Sequence, residues 1–275
     1  MLDFVDKVAV ITGAGRGVGR AIALQCAREG MRVVVVADLD GGLAQQVARE
    51  FEELPARAVA VQVDVSDEAQ VQALAARAYD EFGEVNVLFN HAGVSVRGPV
   101  ADATRTDWEW TFAVNLWGVL NGVYAFLPRM RAQSGEAHIV NTASMSGVVA
   151  RRNFHGVYTA SKHAIVGFTS VLRDELEPEG IGVSCWCPSG MLTNQTNSGE
   201  YRPARFGGAY ELPEARVQRL ADPMLPEEVA PRVLEGVRQN LRYIFTHPNS
   251  RAHLEEQHKL LWDDFAAGER IAQMT

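Results

Sequence analysis

Short runs of β-branched and apolar residues alternate with amphipathic stretches along most of this chain, and that alternation restricts its fold more than any other feature. Strands are expected at Val8–Thr12, Arg32–Ala37, Ala58–Val63, Val85–Phe89, Ala137–Thr142, Gly182–Trp186 and Tyr243–Thr246. Helical periodicity covers Gly17–Glu29, Gly41–Glu53, Glu68–Phe82 and Val157–Glu177. The first strands are almost continuously apolar, as strands covered by helices on both faces must be. Such a pattern implies βαβ units, right-handed crossovers and a parallel sheet of about seven strands, doubly wound, with helices on both faces. Ligands of such sheets lie at the carboxyl ends of the strands.

No linker, repeat or low-complexity tract interrupts the pattern before residue 188, so the 275 residues are expected to form a single domain. The segment from Ser189 to Pro223 is different. Gly, Pro, Asn and Arg mix there with Met191, Tyr201, Phe206 and Tyr210, without periodicity. A loop of about 35 residues in a compact domain is usually functional. It is expected either to cover a large substrate or to contact another subunit. Asn249 to Arg270 reads as a last helix, apolar at Leu254, Leu261, Trp262 and Phe265.

Composition removes several classes of function. A formal net charge of −8 disfavours nucleic acid and anionic membrane surfaces as partners. No apolar run of roughly 18 residues is present, and the acidic N-terminus does not resemble a signal peptide, so a cytoplasmic protein is expected. Three cysteines are too few for a disulfide framework. Cys185 and Cys187 alternate along a strand and are expected as buried small hydrophobes. The seven histidines show no metal-ligand spacing, so no metal is expected.

The first strand runs into Thr12-Gly-Ala-Gly-Arg-Gly-Val-Gly19, and a helix follows. Gly13, Gly17 and Gly19 permit a tight turn and the close approach of a diphosphate to free amides at the helix N-terminus. The glycine spacing resembles the TGxxxGxG cofactor turn of the short-chain dehydrogenase/reductase family, which has a Rossmann-like fold. The resemblance extends over about residues 4 to 195, with motifs in the family's order.

It implies that Gly13, Arg16, Gly17, Val18 and Gly19 surround the cofactor diphosphate. Asp38, about 20 residues after the glycines, is placed to bind both ribose hydroxyls of the adenosine half and to repel the extra phosphate of NADP. NAD is therefore favoured over NADP. Arg16 leaves an alternative open: a basic residue in this turn often accompanies NADP, although it is also compatible with a solvated position or one over the adenine. Asp64 and Val65 resemble the family's adenine-contacting pair, while Asp64 alone also fits a helix cap. In Asn90-His-Ala-Gly93, Asn90, Ala92 and Gly93 are implied at the cofactor ribose, and His91 replaces the second asparagine of the family's NNAG. The stretch from Pro188 through Gly190, Met191 and Thr193 resembles the segment that closes on the nicotinamide amide, with Ser189 inserted.

Tyr158-Thr-Ala-Ser-Lys162 matches the family's YxxxK. The two residues share a helix face, about 6 Å apart along the axis. An ammonium about 4 Å from the phenol, at an effective dielectric of about 20, favours the phenolate by roughly 4 kcal/mol. That lowers the tyrosine pKa by up to about three units and lets it serve as general base or acid. A Tyr–Lys pair of this spacing also occurs on solvated helix surfaces, so its company matters. Ser144, in Asn141-Thr-Ala-Ser-Met-Ser-Gly147, fits the family's catalytic serine, with Ser146 a nearby rival. Asn115 resembles the helix asparagine that holds a water beside the lysine. Tyr158, Ser144, Lys162 and Asn115 thus form the implied catalytic set.

The family further implies a homodimer or homotetramer built on the long helices that carry Asn115 and Tyr158. Trp110, Trp117, Phe126 and Phe168 are compatible with such faces and equally with the core. Val94, Ser146, His155 and Met191 are implied at the substrate pocket. The expected activity is hydride transfer between nicotinamide and a secondary alcohol or ketone, with a bulky hydrophobic or aryl substrate favoured. Tyr201 to Gly207 resembles the segment of relatives acting on lignin-derived aryl alcohols. Dihydrodiol or small-alcohol oxidation, acyl-ester reduction and a non-enzymatic NAD sensor are the alternatives.

Overall fold

The computed structural model describes residues 3–150, 155–192, 194–211 and 223–274. Seven parallel strands lie side by side in the order β3-β2-β1-β4-β5-β6-β7. They are β1 (Val8–Thr12), β2 (Val33–Asp38), β3 (Arg57–Gln62), β4 (Val87–Asn90), β5 (His138–Thr142), β6 (Gly182–Trp186) and β7 (Tyr243–Ile244). Strict alternation divides each central strand between two cores. Val8, Val10, Val33 and Val35 face one core, with Leu74, Phe126 and Leu172. Ala9, Ile11, Val34 and Val36 face the other, with Ile22, Val229 and Val233.

The helices supply the outer layers. On one side α1 (Gly17–Arg28) packs against α7 (Pro226–Arg238), and on the other α3 (Glu68–Phe82) packs against α5 (Gly118–Ala132). The remaining helices are α2 (Gly41–Arg49), α4 (Arg105–Phe112), α6 (Gly156–Leu176) and α8 (Arg251–Ala272). A π-helical turn, Ala113–Trp117, joins α4 to α5 in one helical run. That run, Arg105–Ala132, is long and apolar enough to cross a membrane by length and composition, although polar and charged residues interrupt it in the sequence. Most of it is buried within this fold. Trp110 and Phe126 are core residues, not interface candidates, whereas Trp117 is 56% exposed.

Some element ends differ from expectation. β4 begins two residues late because the side chain of Gln133, not a neighbouring strand, bonds both main-chain groups of Val85. β7 stops at Ile244 because Thr246 turns inward to accept from Trp186 Nε1. α8 forms as expected but has no buried residue, and Leu261, Trp262 and Phe265 are all exposed.

Strand order reverses between β1 and β4. The turn after β1 and the segment after β4 therefore diverge and leave a crevice at their carboxyl ends.

Candidate active site

The crevice is a cleft of about 730 Å³. Its floor is the glycine turn. Gly13 has φ +70°, and a Cβ there would lie 2.8 Å from Ala92 Cα, so the two diverging segments touch through a residue without a side chain. A Cβ on Gly19 would lie 2.2 Å from the Gly13 carbonyl oxygen, which holds Gly19 beneath the turn and off the cleft wall. No side chain caps the α1 N-terminus and no acid lies in its first turn, so its amides point into the cleft with the helix dipole behind them.

At one end of the cleft stands Asp38, buried at the tip of β2. Its Oδ2 accepts from the Gly15 amide at 2.8 Å and its Oδ1 from the Asp40 amide at 3.0 Å. Asp64, Val65 and Ser66 form the wall beyond β3. Asp64 does not cap the next helix; Asp67 does, accepting from Ala69 and Gln70. Asp64 instead accepts from Ser66 and pairs with Arg205 at 2.8 Å. Burial works to raise its pKa, but these hydrogen bonds and the guanidinium outweigh burial and hold it low.

Arg16 is half-buried, not fully solvated, and it faces an aromatic ring. Its guanidinium lies 4.2 Å from the ring centroid of Tyr201, and both line the cleft. The loop that follows β6 therefore folds back over the glycine turn. Arg202, buried, anchors it by pairing with Asp107 at 2.5 Å and packing against Trp110 and Tyr210. A bridge between Met191 and Met224 joins the loop's two ends. Phe206 and Tyr210 thus help build the loop and do not line the cleft. Thr193 lies outside the described residues.

At the opposite end Ser144, Tyr158 and Lys162 meet. Ser144, at the tip of β5, is buried in extended conformation; its Oγ accepts from the Ser146 amide at 3.1 Å. Tyr158 and Lys162 leave the first turns of α6 on one face, both buried. The ammonium lies over the tyrosine ring, 5.5 Å from its centroid, and donates to the Thr142 carbonyl at 2.7 Å. A buried cation needs an oxygen acceptor, and β5 offers one beside the tyrosine. Burial lowers the Lys162 pKa to about 8, with Cys185 and Cys187 acting the other way.

Asn115 is fully buried in the π turn, and a Cβ on Gly93 would lie 3.3 Å from its Oδ1 and 3.6 Å from the Lys162 ammonium, so the two face the same spot. It accepts from the Val94 amide at 2.8 Å and donates to the Val94 carbonyl and to Ser161 Oγ, each at 3.0 Å. It ties the segment after β4 to α6. Asn90 is likewise off the cleft wall: its amide donates to Asn141 at 2.9 Å, beneath Gly122.

His91 occupies the position of the missing asparagine without leaving a gap. Its ring stacks on Trp186 at 5.4 Å, and Nδ1 reaches Thr142 Oγ1 at 3.2 Å, so the link from β4 to β5 is kept. Burial, with help from Lys162, pushes its pKa down to about 3. Burial does the same to His138. The unfolded chain takes up these protons near pH 6.5 while the folded chain resists them, so stability is lost as pH falls below 6.5. Two such histidines cost about 2 kcal/mol between pH 6.5 and 5.5. Thermal melting at the two pH values is expected to register that loss, and His91→Asn should recover about half of it. An unchanged slope in the variant would assign the loss elsewhere.

Ala92, Gly93, Val94, Ser146, His155, Pro188, Gly190 and Met191 all reach the cleft, as the sequence implies. Sequence reasoning missed Arg97, Trp110, Val149 and His253 on the same wall. It also missed His247, which receives the Ser189 amide at 3.2 Å and bonds the Gly190 carbonyl at 3.1 Å, holding the segment that carries the inserted serine. No local pattern marks these positions.

A parallel sheet with a glycine turn at its switch point, an acid at the tip of β2 and a tyrosine–lysine helix across the cleft defines a dinucleotide-dependent class of oxidoreductase. The short chain dehydrogenase family model matches residues 7–202, and the chain belongs to that family. A Cα-dehydrogenase from a Sphingobium strain is 34% identical over 97% of this chain and 88% of its own length. A 1-deoxy-11-beta-hydroxypentalenate dehydrogenase from Streptomyces exfoliatus is 32% identical over 93% and 88%. Among solved structures, a Burkholderia phymatum short-chain dehydrogenase/reductase in complex with NAD superposes with a TM-score of 0.88, at 36% identity over 96% of this chain and 97% of that one.

Proposed function

We propose that the protein is an NAD-dependent dehydrogenase of bulky secondary alcohols, or reductase of the matching ketones, with an aryl carbinol as the favoured substrate. The observation that carries this reading is the position of Tyr158, Ser144 and Lys162 at one end of a cleft whose other end is closed by Asp38. The cradle fits a dinucleotide. A Cβ at Gly13 or Gly19 would collide with backbone, the amides of α1 face the cleft, and the Asp38 carboxylate is held at ribose height by two amides. Gly17, Val18, Asp64, Val65, Ala92, Gly93, Pro188, Gly190 and Met191 would hold the remainder of the cofactor.

When bound, the nicotinamide supplies the hydride acceptor or donor. In alcohol oxidation the Tyr158 phenolate takes the hydroxyl proton as the carbinol hydrogen leaves, and in ketone reduction the phenol returns it. Ser144 Oγ donates to the substrate oxygen where charge develops. Lys162, fixed by the Thr142 carbonyl, keeps a positive charge beside the phenolate and reaches toward the cofactor ribose. Asn115 acts through Val94 and Ser161, holding the cleft's two walls in register. Val94, Trp110, Val114, Met145 and Val149 give the substrate end an apolar lining suited to a ring. The Sphingobium relative's name, a Cα-dehydrogenase, supports a dehydrogenase acting at a carbon centre.

A single domain in the cytoplasm, assembled as a dimer or tetramer, belongs to the same proposal; Trp117 on the π turn, Tyr124 on α5 and Val171 on α6 are exposed and apolar, as such contacts require. Turnover of 1-arylethanols, acetophenones and small polyols, each with NAD and with NADP, tests the reading. Arylethanol oxidation with NAD is expected. Activity confined to polyols would reject the bulky substrate, and preference for NADP would reject the cofactor.

Tyr201→Ala should weaken NAD binding several-fold, since it removes the ring that holds Arg16 over the glycine turn. Stopped-flow release of NADH reads this directly. An unchanged release rate would mean that the loop closes independently of the cation–π contact.

A further inference from the structure

The segment that leaves β6, from Pro188 to Met191, forms part of the cleft wall together with Ser144, Tyr158 and Lys162. It belongs to no strand or helix, so bonds from outside must fix its backbone path. On one side the Pro188 carbonyl accepts from the Met145 amide at 2.7 Å, with Ser144 Oγ 3.5 Å away. On the other side the Gly190 carbonyl accepts from the Met224 amide at 3.1 Å. Between these two anchors Ser189 and Gly190 both meet one side chain, that of His247, which lies beyond β7 and is 4% exposed.

The backbone dictates the form of that ring. The Ser189 N–H can only donate, and it reaches Nδ1 at 3.2 Å. The Gly190 carbonyl can only accept, and it lies 3.1 Å from Nε2. Nδ1 must therefore carry a lone pair and Nε2 a proton, which is the neutral Nε2–H tautomer. Thr246 Oγ1, 3.0 Å from Nδ1, donates to the same lone pair and accepts from Trp186 Nε1 at 3.4 Å. Burial lowers the His247 pKa, the Gly190 carbonyl works the other way, and the Arg232 guanidinium adds to the lowering. The ring is thus held neutral, as its two backbone bonds demand. A protonated ring, or the other tautomer, would set N–H against N–H at Ser189.

We propose that His247 is a positioning residue for the nicotinamide half of the coenzyme: its Nε2–H tautomer fixes Ser189 and Gly190, and these fix the wall against which that half rests. The proposal rests on the reading of the cleft as a dinucleotide site and deepens it. Among the described residues of the cleft wall are Ser189 and Gly190 but not His247, which therefore acts through them from behind. The inserted serine explains the need. One more residue in this segment brings one more backbone N–H with no strand to pair it, and His247 supplies the acceptor. Asp38 and the glycine turn lie at the other end of the cleft, on elements that His247 does not bond, so the adenosine half should not sense it.

Calorimetry with NAD and with ADP-ribose, which lacks the nicotinamide, provides the test. His247→Phe keeps a ring and removes both backbone bonds. It should weaken NAD binding about tenfold and leave ADP-ribose within about twofold of the parent. His247→Gln keeps a donor near the Nε2 position and should weaken NAD by about threefold, again sparing ADP-ribose. The Gln variant carries the comparison alone if the Phe variant does not fold. Nitrogen NMR of the parent, with the Gln variant to assign the ring, should show Nδ1 bare and Nε2 protonated at neutral pH. Equal weakening of both ligands would make His247 a general prop of the fold and overturn the proposal. NAD affinity unchanged in the folded variants would overturn it as well, and either result leaves the dehydrogenase reading standing. A proton on Nδ1 would overturn the clamp whatever the affinities. A parent that binds neither ligand would reject the dinucleotide reading, and the proposal with it.

Discussion

Tyr158→Phe is expected to bind NAD as tightly as the parent and to lose turnover by about a thousandfold or more. Proton exchange by a positioned side chain contributes roughly 10²–10⁴ to rate, and no described neighbour is placed to replace this one. Ser144 lies close, but an aliphatic hydroxyl gives up its proton far less readily than a phenol. The change removes one oxygen and preserves the ring, so the edge-to-face contact with His155, at 5.9 Å and 76°, survives and the fold should be unaffected. Steady-state kcat, with NAD titrated by fluorescence, separates the two effects. Turnover within tenfold of the parent would refute Tyr158 as the proton carrier.

Asp38→Asn should carry the second-largest effect, a reversal of cofactor preference. Two charge-assisted hydrogen bonds to ribose hydroxyls are lost or weakened, which lowers kcat/KM with NAD by about a hundredfold. The one amide oxygen can still accept from Gly15, so the turn should persist, while the Asp40 amide loses its acceptor. With the negative charge gone, the extra phosphate of NADP is no longer repelled, and Arg16 on the same wall contributes attraction. Activity with NADP is expected to rise as activity with NAD falls. An unaltered NAD-to-NADP ratio would show that the carboxylate does not face the ribose.

How much of this was legible in advance depends on where the determining contact lies. β1, β6 and α3 begin and end where the sequence predicts, because a β-branched run or the Asp67 cap encodes them locally. The ends of β4 and β7 depend on Gln133 and Trp186, residues remote in sequence, and no local pattern carries that information. The same division holds in the site. The glycine turn, Asp38 and the Tyr158–Lys162 spacing are short motifs, each with its own chemistry. The direction of the lysine is set by the Thr142 carbonyl on β5, and the side chain of Asn115 by a backbone segment 21 residues away. Arg97 and His253 join the cleft, and His247 joins the segment that carries Ser189, solely through tertiary folding. Their residue types, in those stretches of sequence, suggest no role.

The loop's contacts with the glycine turn and with Asp64 also bear on how this scaffold can be re-engineered. Residues 13–66 shape one end of the cleft and residues 91–253 the other, which invites exchange of whole segments between relatives to recombine coenzyme and substrate choice. Two stitches cross that seam, Tyr201 to Arg16 and Arg205 to Asp64. A chimera that swaps the first segment alone must keep an arginine and an aspartate at those two positions, or it will inherit a loop with nothing to fasten to.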